Sequence, residues 1–257
     1  MPAPILTLTT DFGLSDHYVG AMKGVILGIC PRAQIVDISH QVTPYAIAEG
    51  AFLIAQAYGA FPRGTVHVVV VDPGVGSDRR PILMEAAGQY FVAPDNGVLA
   101  MIFAREKHKV RVISNARYFC HPVSQTFHGR DIFAPVAAHV AAGVAASRMG
   151  KIVAGYVRPP FEKPRQTGPR TWAGEILHVD RFGNIVTNFH VDDFPAFEEL
   201  AIGRARARRL VSSYAGAKAR ELVAIVGSSG YLEVSVKQGS AAEKIGCRAG
   251  GACQIRV

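Results

Sequence analysis

The 257-residue chain has only four cysteines, Cys30, Cys120, Cys247 and Cys253, and none forms a CxxC pair, so a zinc ribbon is not encoded. No apolar run approaches the roughly 18 residues of a membrane-crossing helix. The opening residues, MPAPILTLTTDFG, lack a positively charged leader ahead of a long apolar stretch, so no signal peptide is expected. Charged residues make up only 19% of the chain and hydrophobic ones 49%, which excludes disorder and leaves ample material for a packed core. There is no GK[ST] ending to any glycine-rich loop, no HExxH helix and no GxSxG elbow. These absences exclude a Walker loop, the commonest zinc hydrolase signature and a strand-to-helix serine nucleophile. The resulting expectation is a soluble cytoplasmic protein with reduced thiols.

The chain does carry an excess of positive charge. Its 28 Lys and Arg outweigh 20 Asp and Glu, a net of +8. Such a balance points first to an anionic partner. Much of it lies in one stretch without an acid, from Gly203 to Arg220, with Arg204, Arg206, Arg208, Arg209, Lys218 and Arg220. No zinc-finger spacing or aromatic-rich RNA motif accompanies it, so a solvated loop is expected there and a nucleic-acid partner is not.

Strand and helix periods alternate up to residue 157. Ile5–Thr9 reads as a strand, and residues 16–29 place Val19, Met22, Val25, Ile26 and Ile29 at helical spacing. Gln34–Ile38 is a strand. Residues 46–60 form an Ala-rich helix, packed through Ala48, Phe52, Ala55 and Ala57. The β-branched run Thr65–Val71 suits a strand buried on both faces. A strand pair follows (Ile82–Ala86, Tyr90–Ala93), then a helix at Asn96–Ala104, a strand at Val110–Ile113 and a helix at Asp131–Ala146. This rhythm predicts a three-layer α/β domain over residues 1–157 with a mainly parallel central sheet. Residues 158–171, with four prolines, read as a linker. Residues 172–257 contain short strand-like runs separated by Gly, Ser and Asn, which predicts a smaller β-barrel or sandwich.

Ligands of open parallel sheets bind at the carboxyl ends of strands. Asp11 follows the first strand and Asp72 follows VHVVVV. Each suits a grip on ribose hydroxyls, because an ionised carboxylate accepts two hydrogen bonds, and each is equally suited to capping a turn. Behind Asp72, the sequence PGVGSDRR makes either a loop that folds Arg79 and Arg80 back toward it or a surface hairpin. His128, in a Gly-flanked loop, is free to serve as acid, base or donor, and Asp131 reads as the N-cap of the helix behind it. Asp95-Asn96-Gly97 reads as a turn. In the second domain, Asp180-Arg-Phe-Gly-Asn184 offers groups for an amino acid's amine and carboxylate, or simply a hairpin turn. Ser228 adds a hydroxyl in a further loop. A two-metal set drawn from Asp11, Asp16, His17, Asp37, His40 and Asp72 is conceivable, but no ligand spacing supports it, and no metal is expected.

Six motifs in order then carry a resemblance: TTDFG (Thr9–Gly13), DPGVG with a following Arg (Asp72–Arg79), PDNG (Pro94–Gly97), TFHGRD (Thr126–Asp131), DRFGN (Asp180–Asn184) and SSGYLEV (Ser228–Val234). Together they resemble the S-adenosylmethionine hydroxide adenosyltransferases, relatives of the fluorinase and chlorinase. The resemblance spans residues 5 to about 246. It implies an α/β domain followed by a β-barrel, assembled as a homotrimer with active sites at subunit interfaces. It implies attack of water on the ribose 5′ carbon of S-adenosylmethionine, giving adenosine and L-methionine, with no cofactor, metal or membrane partner. By motif, Asp72, Arg79 and His128 orient and polarise the water. Asp11 holds the ribose. Tyr45 and Phe127 line the nucleoside and nucleophile region, and Asp180, Asn184 and Ser228 bind the methionine moiety. The halogenating relatives differ at the water site: the fluorinase has Tyr at the place of Asp72 and Ser at that of Gly129, so this chain's set favours water over halide. The alternatives are a non-catalytic adenosine or S-adenosylmethionine binder and a chlorinase-like, halide-using enzyme.

Overall fold

A computed structural model of the chain describes residues 2–158 and 163–257. The chain divides into two units, Met1–Pro159 and Pro160–Val257. That division falls inside the segment expected as a linker. Residues 159–162 of that segment lie outside the described residues, and Arg165–Gly168 within it forms a strand.

In the first unit the elements are β1 (Ile5–Thr10), α1 (Tyr18–Ile29), β2 (Gln34–Ser39), α2 (Ile47–Ala57), β3 (Val66–Val70), β4 (Pro81–Ala86), β5 (Gln89–Pro94), α3 (Ala100–Arg105), β6 (His108–Val112) and α4 (Ala134–Ala141). The sheet order is β2-β1-β3-β5-β4-β6. Pairs β2–β1, β1–β3 and β3–β5 are parallel, whereas β5–β4 and β4–β6 are antiparallel. The sheet is therefore mixed. The antiparallel part follows from the Ala87-Gly88 turn, where both residues take left-handed φ values and close a tight hairpin.

Side chains alternate along the strands, as pleating demands. Leu6 and Leu8 of β1 and Val66, Val68 and Val70 of β3 join one core with Met22 and Ile26 of α1 and Val136 of α4. The expected helical stripe on α1 is thus the face it buries. On α2 the buried face is Ala51, Phe52, Ile54 and Ala55, while Ala48, expected to pack, is exposed. Glu49 is buried there because its carboxylate accepts the Thr43 backbone N–H at 2.8 Å, near the helix start.

Between the apolar residues of β3 sits His67, fully buried. Its Nε2–H donates to Gln89 Oε1 at 3.3 Å, and its Nδ1 accepts the Thr7 hydroxyl at 2.7 Å. The ring stacks on Phe91 with 4.7 Å between centroids. Burial pushes its pKa down from 6.5 to about 4, against a smaller raising effect of Gln89. A neutral ring in the fold and an ordinary ring in the unfolded chain stabilise the fold fully above pH 6.5. That contribution is lost as the pH falls from 6.5 toward 4, and amounts to about 3 kcal/mol. Denaturant unfolding is expected to show a midpoint that drops steeply over this window, and a flatter dependence in His67→Gln. Equal slopes for the two proteins would show that His67 does not carry the effect.

The second unit contains β7 (Arg165–Gly168), β8 (Thr171–Val179), β9 (Ile185–His190), β10 (Glu199–Ile202), β11 (Ala205–Ala207), β12 (Leu210–Val211), β13 (Leu222–Val226), β14 (Tyr231–Val236), α5 (Ala241–Ile245) and β15 (Ala252–Arg256). Its sheet runs β11-β10-β15-β8-β9-β14-β13-β12, with β7 added on β8. β11 approaches β13, so the sheet curls nearly into a barrel. Phe189, Leu200, Leu232, Val234 and Ile255 fill its core.

The basic residues of the Arg-rich stretch are exposed, as expected of a solvated segment, but the stretch is not simply a loop. It builds β11, β12 and a 3₁₀ turn at Tyr214–Gly216. Acids from flanking segments pair with it: Glu199 with Arg206 (3.1 Å) and Arg208 (2.7 Å), and Glu221 with Arg209 (2.7 Å). Among the described residues, no helix is long and apolar enough to cross a membrane.

Candidate active site

The carboxyl ends of β1 and β3 open into a pocket of about 340 Å³. Its walls include Asp11, Tyr45, Asp72, Phe127 and His128, which places five of the sequence candidates around one cavity.

The turn after β1 is pinned to the chain after β2. The Thr10 hydroxyl meets His40 Nδ1 at 2.8 Å, and the Gly13 N–H donates to the His40 carbonyl at 2.7 Å. This leaves Asp11 at the strand end. Its Oδ2 accepts the Tyr45 backbone N–H at 2.9 Å, so one carboxylate oxygen is already engaged. Tyr45 takes a left-handed φ of 69° and its side chain is 72% exposed at the pocket rim. Such a conformation is costly for a residue with a Cβ, and the Asp11 hydrogen bond offsets that cost. Burial raises the Asp11 pKa, the Tyr45 N–H opposes the rise, and the nearby Asp72 adds to it.

Asp72 and Arg79 form a forked pair. Arg79 Nε donates to Oδ1 at 3.0 Å and to Oδ2 at 2.9 Å, and Nη2 donates to Oδ2 at 2.5 Å. Their side chains are only 4% and 9% exposed, and the guanidinium lies 5.1 Å from the Phe133 ring centre. The same Nη2 sits 2.7 Å from His128 Nδ1. Asp72, Arg79 and His128 are therefore one hydrogen-bonded chain, with Arg79 in the middle. Burial lowers the His128 pKa, and the Arg79 charge lowers it further. Asp72, the Ser124 carbonyl and Asp131 act in the opposite direction.

Arg80, also expected to turn toward Asp72, instead pairs with buried Asp95 at 2.5 Å. Asp95 is thus a structural anchor as well as part of a turn, and it also accepts the Val157 N–H at 2.7 Å. Asn96 ties the end of β3 by donating to the Val71 carbonyl at 2.8 Å. Asp131 is not the N-cap of α4. It lies within a π-helical turn, Gly129–Phe133, that precedes the helix. Its carboxylate accepts the Ser124 N–H at 2.8 Å and pairs with Arg130 at 2.6 Å, which shapes the loop that presents His128. Phe127 is nearly buried, in an edge-to-face cluster with Phe12 (6.0 Å) and Tyr18 (5.0 Å). Tyr18 was not among the sequence candidates.

A second cavity, of about 620 Å³, lies in the second unit and is lined by Asp180, Phe182, Asn184, Tyr214 and Ser240 among others. The Asp180–Asn184 segment is both a turn and a cavity wall. Asp180 Oδ1 accepts the N–H groups of Phe182 (2.9 Å) and Asn184 (2.8 Å), and Oδ2 accepts from Asn184 Nδ2 at 2.8 Å. Gly183, at φ +79°, is required there, because a Cβ would come within 2.1 Å of Ser240 Oγ. Phe182 is 78% exposed, which is unusual for a phenyl ring in a tight turn, and Tyr214 faces the same cavity. Both were missed. Phe182 stood inside a recognised motif but no pattern marked its ring as exposed, and Tyr214 lay in a segment dominated by arginine. Tyr214 Oη donates to Glu233 Oε2 at 3.3 Å. Burial holds the Glu233 carboxyl above its ordinary range. Ser228 is exposed on the β13–β14 turn and is not among the residues lining this cavity. Among the described residues, no three His, Cys, Asp or Glu side chains converge as a metal site would require, and Asp37 is engaged by Lys23 at 2.6 Å and His40 at 3.1 Å.

Comparison with known proteins finds similarity over nearly the whole chain. Residues 6–150 match the SAM hydroxide adenosyltransferase N-terminal domain and residues 174–254 the C-terminal domain. An (R)-S-adenosyl-L-methionine hydrolase of Salinispora tropica is 36% identical, over 99% of this chain and 98% of that protein. A fluorinase of Nocardia brasiliensis is 28% identical, over 99% and 97%. A crystal structure of an uncharacterized conserved protein from Thermotoga maritima superposes with a TM-score of 0.90 at 37% identity, covering 98% of this chain and all of the other. With both of its units matched, the chain belongs to the SAM hydroxide adenosyltransferase family.

Proposed function

We propose that the protein hydrolyses S-adenosyl-L-methionine to adenosine and L-methionine. The water oxygen forms a bond to the ribose 5′ carbon, the carbon–sulfur bond breaks, and its electron pair returns to sulfur as a neutral thioether. The observation that carries this reading is the Asp72–Arg79–His128 chain at the wall of the strand-end pocket, in a family whose relatives include (R)-S-adenosyl-L-methionine hydrolases. A sulfonium leaves without protonation, so the work of the site is to hold a weak nucleophile in line. Alignment of this kind is worth about 7–11 kcal/mol in favourable cases.

In this reading Asp72 accepts from the water, and Arg79 fixes the carboxylate. Asp11 binds a ribose hydroxyl with the oxygen that Tyr45 leaves open, and Tyr45 and Phe127 border the nucleoside. Asp180 and Asn184, helped by Ser228, take the methionine moiety. The three-layer α/β domain and the β-barrel domain then act together in a homotrimer whose active sites lie at subunit interfaces. Neither a metal nor a cofactor takes part. The four unpaired cysteines suit a reducing cytoplasm.

Incubation with S-adenosylmethionine, with and without chelator, is expected to yield adenosine and methionine in equal amounts at the same rate in both samples. Tight adenosine binding without turnover would instead identify a nucleoside binder. Activity lost with chelator would identify a metal-dependent hydrolase, and a halogenated nucleoside formed in chloride would identify a halide-using relative.

A further inference from the structure

A guanidinium carries only N–H donors and no acceptor. An imidazole nitrogen 2.7 Å from Arg79 Nη2 must therefore present its lone pair. Nδ1 of His128 is that atom, so the proton of the neutral ring resides on Nε2. Nδ1 is thus engaged by Arg79 before any water arrives.

We infer that His128 is a positioning residue rather than the general base: it is held as the neutral Nε2–H tautomer and acts by fixing the Arg79 guanidinium against Asp72. This deepens the hydrolase reading and rests on it for the reaction, though the tautomer itself does not. Burial and the Arg79 charge favour the neutral ring, whereas Asp72, the Ser124 carbonyl and Asp131 oppose it, and the balance lies toward the neutral state. Arg79 and Asp72 approach from the β3–β4 loop, Asp131 from the π-helical turn, and the Ser124 carbonyl from the preceding loop. Burial lowers the ring's pKa by disfavouring its charged form, and the Arg79 charge lowers it further, since protonating Nδ1 would set N–H against N–H and one cation against another. Taking a proton on Nε2 would require that nitrogen to give up the one it holds. The proton shed by the attacking water consequently goes to the Asp72 carboxylate, whose Oδ1 accepts only one bond from Arg79 and keeps a lone pair, and from there to solvent.

Two measurements on the full-length protein test this. Nitrogen-15 spectra of histidine-labelled protein, with His128 assigned from its missing signal in a variant, are expected to show Nε2 protonated and Nδ1 unprotonated across neutral pH. A proton on Nδ1 would overturn the inference. The second is rescue. In His128→Asn the amide oxygen falls near the place of Nδ1 and can still accept from Arg79, whereas His128→Ala cannot. The alanine variant is expected to lose on the order of 100-fold in kcat through a displaced Arg79, and the asparagine variant less than about tenfold. Equal, large losses in both folded variants would mean that the ring itself takes the proton. If no S-adenosylmethionine turnover is found at all, the spectra still decide the tautomer, so failure of the two readings can be told apart.

Discussion

Asp72→Ala is expected to lower kcat for adenosine formation by on the order of 10³-fold, within the range of losses seen when a positioned proton acceptor is removed. The KM for S-adenosylmethionine is expected to change far less, because Asp72 meets the water and not the bulk of the substrate. The substitution also carries a stability penalty. Arg79 is 9% exposed and makes its forked hydrogen bonds to this carboxylate. Removing one partner of a buried ion pair costs about 3–5 kcal/mol. Asp72→Asn separates the two effects, since the amide oxygen still accepts from Arg79 while the negative charge is gone. It is expected to recover much of the stability and little of the activity. Steady-state kinetics and denaturant unfolding of both variants are the measurements. A folded Asp72→Asn protein within tenfold of the parent in kcat would contradict the assigned role.

Gly76→Ala is expected to produce the second large loss. Gly76 has φ +78°, and a Cβ there would lie 2.4 Å from the Gln125 carbonyl oxygen. That contact is backbone against backbone, so no side chain can swing aside. The loop bearing Arg79 and the loop bearing His128 touch at this point, which explains why DPGVG needs its second glycine. Forcing them apart breaks the Arg79–His128 contact, and a displacement of about 1 Å at such a site costs on the order of 100-fold in rate. Gly143→Ala is the control. It has a comparable left-handed φ of +96° but no atom within 4 Å of the added carbon. It pays only the conformational cost of about 1–2 kcal/mol, and its kcat is expected to match the parent's. Similar kinetics for the two variants would show that the loop contact does not govern activity.

The strands of the first unit were legible because burial on both faces leaves an unmistakable signal, as in the VHVVV of β3, every residue of which is buried. α1 was legible because its buried side chains recur at helical spacing. β10 to β12 were not, because they are two to four residues long and their arginines are held by acids at either side of the Arg-rich stretch, Glu199 in β10 and Glu221 beyond β12. In the site, residue types at strand ends pointed to Asp11 and Asp72. What the sequence could not disclose was pairing. Two adjacent arginines part company, Arg79 to Asp72 and Arg80 to Asp95. Asp131 has the residue type of a cap but sits one turn too deep, inside a π-helical turn that no periodicity announces. Phe182 and Tyr214 needed the fold itself, since only the curled sheet turns both toward one cavity. His67 looked like one polar residue in a strand, and only its Thr7 and Gln89 partners make its burial tolerable.

The central claim is that water attacks the ribose 5′ carbon at a site built from Asp72, Arg79 and His128. Its most direct test is turnover of S-adenosylmethionine in oxygen-18 water, followed by mass spectrometry of the products. One heavy oxygen in adenosine, located at the 5′ position, with none in methionine, is the result expected. Adenosine without the label, or a product bearing a halogen in place of the 5′ oxygen, would contradict it.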